Sequence, residues 1–159
     1  MLFEQEAGEL TAGFELTEKD TVCLKGGTIK GRGFGNGGHG HIEITGGIWN
    51  GQLSGIKKID ISGGEVNYIE TNTNDTAAIQ ESEEVSISGG KIYAENTNSS
   101  GRAFAILMSD KTKLSLSDNI DISAAGGNTH GSIYYGYSAK SCATTVSYTH
   151  LTLPTTSRV

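Results

Sequence analysis

The sequence predicts an all-β chain folded as a right-handed, three-sided parallel β-helix, a solenoid in which every coil contributes three short strands. Three observations support the solenoid. Glycine accounts for 23 of the 159 residues, about twice its usual share of about 7%. A strand pattern that ends in a glycine pair recurs along the chain, and the intervals between its copies are unequal. Repeated units joined by corners of variable length are typical of solenoids.

The first strand of each coil is a tetrad of alternating apolar and polar residues followed by a glycine pair. Alternation with a period of two indicates a half-buried strand, and glycine takes the positive φ that a sharp turn requires. In the last copy Asp118-Asn119 replaces the glycines, and these residue types tolerate positive φ best after glycine. The copies of the tetrad begin at Val22, Ile42, Ile59, Val85 and Leu114.

Two further apolar segments complete each coil. The second strand is marked by apolar residues after the turns: Ile29, Ile48, Val66, Ile92, then Ile120 with Ile122. The third strand holds Ile79, Ile106 and Ile133, which are 27 residues apart. Like positions of stacked coils lie about 4.8 Å apart. The first strands should therefore form two interior ladders, one of Ile42, Ile59, Val85 and Leu114, the other of Ile44, Ile61, Ile87 and Leu116.

These patterns divide the chain into segments. Residues 1–19 are expected to be an irregular lead-in, residues 20–138 to hold about five coils, and residues 139–145 to be a truncated end. Because coils cut in this way leave strand edges unpaired, we expect the chain to aggregate as its concentration rises.

The last fourteen residues differ from everything before them. Residues 146–159 hold the only proline and no glycine. The string from Val146 to Thr155 resembles, codon for codon, the read-through translation of a transposase-type sequencing adapter. We therefore expect this tail to be an assembly artefact rather than protein sequence. The natural chain is then interrupted near Thr145, as in a metagenomic fragment.

Composition disfavours several classes of function. Twelve basic and eighteen acidic residues give a net charge of −6, which argues against a nucleic-acid binder that neutralises phosphates. No apolar run approaches the roughly 20 residues of a membrane-spanning helix. Cys23 and Cys142 should lie four coils apart, too far for a disulfide.

The repeated motif resembles the repeats of a known group of proteins. Ile-x-Ile-Ser-Gly-Gly-x-Val/Ile, followed by Ala77-Ala78-Ile79, is similar to the right-handed β-helix repeats of bacterial secreted and cell-surface proteins with the pectin-lyase-like fold. The resemblance covers roughly residues 20–138 and implies a right-handed helix in an extracellular or cell-surface protein. It implies no single function, because this fold carries lyases, hydrolases, adhesins and passive stalks.

Glu43 and Asp60 are the candidate catalytic residues. They occupy the same outward position in successive coils, and serines continue the column. Two close carboxylates could bind Ca²⁺ with further oxygen ligands, or act as the pair of a retaining glycosidase. The alternative is a solvated strand face neutralised by lysines (Lys57, Lys58 or Lys91). No arginine lies in register, so the column departs from the pattern of the lyases, which combine clustered acidic metal ligands with an Arg or Lys base.

The glycine-rich segment Gly31–His41 is interpreted as a flexible corner loop. His39 and His41 could share a metal, but no cysteine or third histidine is placed to complete a site. No cofactor or resident metal is therefore predicted.

Four aromatic residues are candidate carbohydrate contacts: Trp49, Tyr93, Tyr134 and Tyr135. Exposed aromatic rings present large amphipathic surfaces for binding; the alternative for each is packing in the core or at an edge. The sequence thus favours a non-catalytic structural or adhesive segment whose partner is a polysaccharide or a host or cell-surface glycan. A fragment of a carbohydrate-active enzyme (a polysaccharide lyase or a glycoside hydrolase) or a carbohydrate-binding module remains the alternative.

Overall fold

A computed structural model describes residues 1–117 and 119–135. Those residues form sixteen β-strands and no helix, so no helix among them is long and apolar enough to cross a membrane. The strands pair in parallel throughout and belong to two sheets. The fold is all-β and compatible with a parallel β-helix. The strands are β1 (Leu2–Gln5), β2 (Glu9–Thr11), β3 (Phe14–Glu15), β4 (Thr21–Leu24), β5 (Thr28–Lys30), β6 (Gly33–Ile44), β7 (Ile48–Asn50), β8 (Leu53–Ile61), β9 (Glu65–Glu70), β10 (Asp75–Gln80), β11 (Glu84–Ile87), β12 (Gly90–Asn96), β13 (Arg102–Met108), β14 (Lys113–Leu116), β15 (Ile120–Gly126) and β16 (Thr129–Tyr135).

Each coil contributes one segment to each of three stacks, which we call the first, second and third faces. The first face runs through β1, β4, the end of β6, the end of β8, β11 and β14. The second face contains β2, β5, β7, β9, β12 and β15. The third contains β3, the start of β6, the start of β8, β10, β13 and β16. Six rungs are therefore described where the sequence predicted about five coils.

The predicted interior ladders are confirmed. Ile42 pairs with Ile59, Ile59 with Val85, and Val85 with Leu114. The second ladder, which begins at Ile44, is in the same register. The eight side chains of the two ladders are at most 2% exposed. On the third face Ile79 pairs with Ile106, and Ile106 with Ile133. The period-two pattern therefore places every branched aliphatic side chain of the tetrads in the core.

The glycine pairs turn the chain between the first and second faces. At Gly63-Gly64 the second glycine has a φ of +74°, a region that costs an ordinary L-residue about 1–2 kcal/mol. The first glycine faces the preceding coil, and a Cβ there would lie 2.6 Å from the Thr45 carbonyl oxygen. Asn119 takes the positive φ of 63° in the last described turn between these two faces, as its residue type predicted, whereas Asp118 lies outside the described residues.

The expectation of an irregular lead-in over residues 1–19 is wrong. β1, β2 and β3 lie there and pair with β4, β5 and β6. Ala7-Gly8 forms the turn, with a φ of +76° at Gly8. Glycine pairs do not mark this coil, because Ala7 stands at the first turn position. Its buried Gln5 donates from Nε2 to the carbonyl oxygens of Gly8 and Thr28, at 3.1 and 3.0 Å.

The second-face ladder corrects one predicted position. Trp49, not Ile48, pairs with Ile29 and Val66 and is fully buried. In each of the strands β5, β7, β9 and β12, the residue that points into the core lies two positions after the second glycine of the turn. Ile48 lies between Gly47 and Trp49 and therefore takes an outward position. The expectations for residues 136–159, including Cys142, the truncated end and the adapter-like tail, fall outside the described residues.

Candidate functional site

The predicted column of outward carboxylates is present on the first face. Glu43 pairs in register with Asp60, and Ser86 and Ser115 follow in the next two rungs. Cys23 precedes Glu43 in the column. The strands thus bring the two candidate catalytic side chains to neighbouring rungs, about 4.8 Å apart.

Asp60 is engaged by two neighbouring side chains. The His41 Nε2 atom lies 2.7 Å from Asp60 Oδ2, and the Lys58 Nζ atom lies 2.9 Å from the same oxygen. The predicted neutralisation by a lysine is therefore correct for Lys58. Lys57 instead pairs with Glu83 at 2.6 Å. Lys91 lies over a tyrosine ring on the second face.

Glu43 faces a buried thiol. Cys23 is 7% exposed, and its Sγ donates to Glu43 Oε2 at 3.7 Å. Burial, followed by the Glu43 charge, raises the pKa of the Cys23 thiol. Because the thiolate is the nucleophilic form, the raised pKa and the burial of Cys23 disfavour its reaction.

The two histidines of the glycine-rich segment have separate partners. His39 Nδ1 lies 3.8 Å from Glu18 Oε1, whereas His41 contacts Asp60. The register of β6 on β8 breaks between Phe34 and His39, so the segment is a bulge within a long strand rather than a separate loop. Over residues 1–117 and 119–135 no group of three His, Cys, Asp or Glu side chains could hold a metal.

The candidate aromatic residues do not form one surface. Trp49 is excluded as a carbohydrate contact, because it is buried and its Nε1 donates to the Gly31 carbonyl oxygen at 2.9 Å. Tyr93 lies on the second face, where its hydroxyl donates to Glu95 Oε2 at 2.9 Å. Tyr134 and Tyr135 lie on the third face. Tyr135 is 37% exposed.

The ring of Tyr134 stacks on another aromatic ring in the neighbouring rung. Its centroid is 4.4 Å from that of Phe104, and the two planes are 16° apart. The Arg102 guanidinium lies 5.9 Å from the Tyr134 centroid and forms an ion pair with Asp75. Packing against Phe104 therefore uses one face of the Tyr134 ring.

A groove that sequence reasoning missed lies at the corner between the second and third faces. It has a volume of about 510 Å³, and its polar lining includes Arg32, Asn50, Gln52, Asn67 and Tyr68. The groove exists because β7 ends at Asn50, whereas β9 in the next coil continues to Glu70. The only signal in the sequence is the interval between turn pairs, which grows from 17 to 26 residues at this point.

The charged groups of this groove are partly fixed by their neighbours. The Arg32 guanidinium carbon lies 4.7 Å from the centroid of the Phe34 ring, a cation–π contact that does not itself use the N–H donors of the guanidinium group. The Tyr68 hydroxyl donates to Glu70 Oε2 at 2.9 Å. The pKa of Tyr68 is raised mainly by burial of its side chain and to a smaller extent by this bond. The backbone N–H of Thr71, followed by the Tyr68 hydroxyl, lowers the pKa of Glu70.

The chain was also compared with known proteins. No family model, no curated protein and no solved structure matches it.

Proposed function

We propose that the chain is a right-handed, three-sided parallel β-helix and forms a non-catalytic structural or adhesive segment of a secreted or surface-attached bacterial protein. Three parallel strand stacks visited in the same order by successive coils support the helix. Connections between parallel strands of one sheet are right-handed in about 98% of cases, which supports the handedness. The extracellular or cell-surface location rests on the resemblance of the repeats.

The observation that carries the non-catalytic proposal is that polar side chains of two rungs already engage the Asp60 carboxylate. Asp60 contacts His41 of the preceding rung as well as Lys58 of its own strand. A retaining glycosidase needs one carboxyl group as nucleophile and the other as a proton donor beside an open sugar site. Asp60 instead forms an ion pair with Lys58 and a hydrogen bond with the His41 ring, which is typical of a carboxylate on a solvated strand face.

The adhesive part of the proposal is supported by the corner groove. Amide side chains and a stacked arginine line a concave surface, and a few convergent polar groups beside apolar surface are typical of small-ligand sites. We assign a polysaccharide or a host or cell-surface glycan to this groove rather than to the four aromatic residues. A carbohydrate-binding module is the second candidate, and the same groove favours it.

A glycan array with matched charge variants tests the adhesive proposal. We expect the wild-type chain to bind at least one glycan, Arg32→Ala to abolish binding, and Lys113→Ala to retain it. Lys113 is an exposed cation on the first face, so the control removes the same charge away from the groove. Equal loss in both variants, or no glycan bound, would contradict the adhesive assignment.

Turnover of pectin-like polymers, with and without Ca²⁺, tests the non-catalytic proposal separately. We expect no cleavage in either condition. Cleavage by the wild-type chain that disappears in Glu43→Gln or Asp60→Asn would establish the enzyme alternative instead.

A further inference from the structure

The chain contains two Asn-Gly pairs whose surroundings differ sharply. Asn36-Gly37 lies in the bulge of β6, and Asn50-Gly51 lies at the end of β7. In an Asn-Gly pair the backbone nitrogen of the glycine can attack the asparagine side chain, because glycine puts no Cβ in the way. The two pairs are identical in sequence, so any difference in their reactivity comes from the fold.

The first pair is not held by the pairing of β6 with β8. Asn36 and Gly37 are both exposed, and the register break between Phe34 and His39 leaves neither of them paired with a residue of β8. Asn36 has a φ of 25° and Gly37 a φ of 90°, so the backbone already departs from an extended strand. A Cβ added at Gly37 would meet no atom within 4 Å.

The second pair is held by the coils on either side of it. The Gly51 N–H, which would be the nucleophile, donates to the Asn67 carbonyl oxygen of the next coil at 2.9 Å. A Cβ added at Gly51 would overlap the Gly31 carbonyl oxygen of the preceding coil. Asn50 is exposed, so exposure alone does not distinguish the two asparagines.

We propose that Asn36 is a site of spontaneous deamidation in the folded protein and that Asn50 is protected. The Gly37 nitrogen loses its proton to water and forms a bond to Cγ of Asn36. The bond from Cγ to the side-chain nitrogen breaks, and that nitrogen takes up a proton and leaves as ammonia. Water then opens the cyclic imide at either carbonyl, which gives aspartate or isoaspartate.

The product places a new carboxylate beside a cavity of about 710 Å³. This cavity is lined by residues that include Asn36, His39, Glu18 and Lys19. The modification therefore adds negative charge where Glu18 already lies 3.8 Å from His39. The isoaspartate form also adds a methylene group to the main chain. The bulge accommodates it because no ladder pair between β6 and β8 has to break.

Peptide mapping of the full-length folded chain tests the proposal. Cleavage after glutamate separates the two sites, because Glu43 lies between them. After ageing in mildly alkaline buffer, we expect the mass gain that marks replacement of a side-chain NH₂ by OH in the peptide 19–43, at least tenfold faster than in the peptide 44–65. In denaturant the two rates should converge.

Two variants sharpen the assignment. Asn36→Gln should abolish the modification of the first peptide, and Asn50→Gln should leave it unchanged. Isoaspartate-specific methylation should label the aged wild-type chain and not the aged Asn36→Gln variant. Equal rates at the two sites in the folded chain, or faster reaction at Asn50, would overturn the proposal, as would no reaction at Asn36 while the denatured chain reacts.

Discussion

The chain turns in different ways at two corners of each coil. At the corner between the first and second faces, which we call the glycine corner, each turn lies directly on the backbone of the preceding turn. At the corner between the second and third faces, the variable corner, β9 and β12 run on into loops of four and five residues before β10 and β13 begin. The glycine corner keeps a nearly constant length from coil to coil, and the variable corner does not.

The difference shows where this fold accepts insertions. The glycine pairs that lie on a preceding turn, from Gly26 to Gly90, leave no room for a side chain, because a carbonyl oxygen of that turn lies 2.3–2.7 Å from the position of an added Cβ. The loops of the variable corner are held by side chains instead. Asn96 and Asn98 each accept a backbone N–H two residues ahead, at 2.9 Å, so the loops form their own local turns. Added length at this corner creates the groove.

The largest effect is expected at the glycine corner. Gly63→Ala should destabilise the chain by about 3 kcal/mol, because the new Cβ forces the stacked coils apart, a cost in the range of overpacked cores. The measurement is the midpoint of urea unfolding. Gly13→Ala is the matched control, since a Cβ there would lie 3.7 Å from the Arg32 carbonyl oxygen, an ordinary contact. Equal destabilisation by both substitutions would show that stacking does not constrain this corner.

The next effect is expected at the variable corner. Asn96 is fully buried, and its Nδ2 donates to the Asn74 carbonyl oxygen at 2.9 Å. Asn96→Ala should cost about 2 kcal/mol, because the buried Thr76 hydroxyl and the Asn98 N–H both lose their partner. Asn98→Ala, at a half-buried position in the same loop, should cost at most about 0.5–1 kcal/mol. If Asn98→Ala matches Asn96→Ala, the loop is not anchored through its buried residue.

The smallest effect concerns the corner between the third and first faces, where Lys57 and Glu83 pair across neighbouring coils. The bond from Lys57 lowers the pKa of Glu83 below its ordinary value of 4.5. A carboxyl group with a lowered folded-state pKa contributes stability above its unfolded-state pKa, and this is lost as the pH falls through the folded-state value.

Glu83→Gln should therefore reduce the urea midpoint slightly at neutral pH and not at all in strong acid. An exposed ion pair is worth less than about 1 kcal/mol, so salt should reduce the difference as well. Glu81→Gln removes a nearby exposed charge and serves as the control. A difference between wild type and Glu83→Gln that persists in strong acid would assign the effect to packing rather than to charge.

The parts of the fold that the sequence predicts are those set by local chemistry. The ladder from Ile42 to Leu114 follows from the period-two alternation, and the turns follow from glycine pairs that mark the register of each coil. The burial of Trp49 follows from its distance to Gly47, which is the two-residue offset of the interior residues in the other coils. The strands of residues 1–19 do not follow from the glycine pattern, because Ala7 interrupts it.

The groove and the choice among ion-pair partners could not be predicted from the sequence. The groove forms because β9 extends further than β7 in the preceding coil. This difference in length cannot be predicted from the sequence of either strand alone. The choice of His41 as a second partner for Asp60 depends on the register of β6 against β8. Local sequence offers several nearby cations for that carboxylate and does not distinguish among them.

The central claim is that successive coils stack in parallel and in register, and spin labels on the first face test it most directly. In a background with Cys23 and Cys142 replaced by serine, nitroxides would be attached to Ser86→Cys and Ser115→Cys. Both serines are exposed and are partners in neighbouring rungs, about 4.8 Å apart along the backbone. The control pair combines Ser86→Cys with Asp121→Cys, which lies on the second face. The account predicts strong dipolar broadening for the first pair, much weaker broadening for the control, and loss of both in urea. Equal or absent broadening in the folded chain would contradict the stacked register.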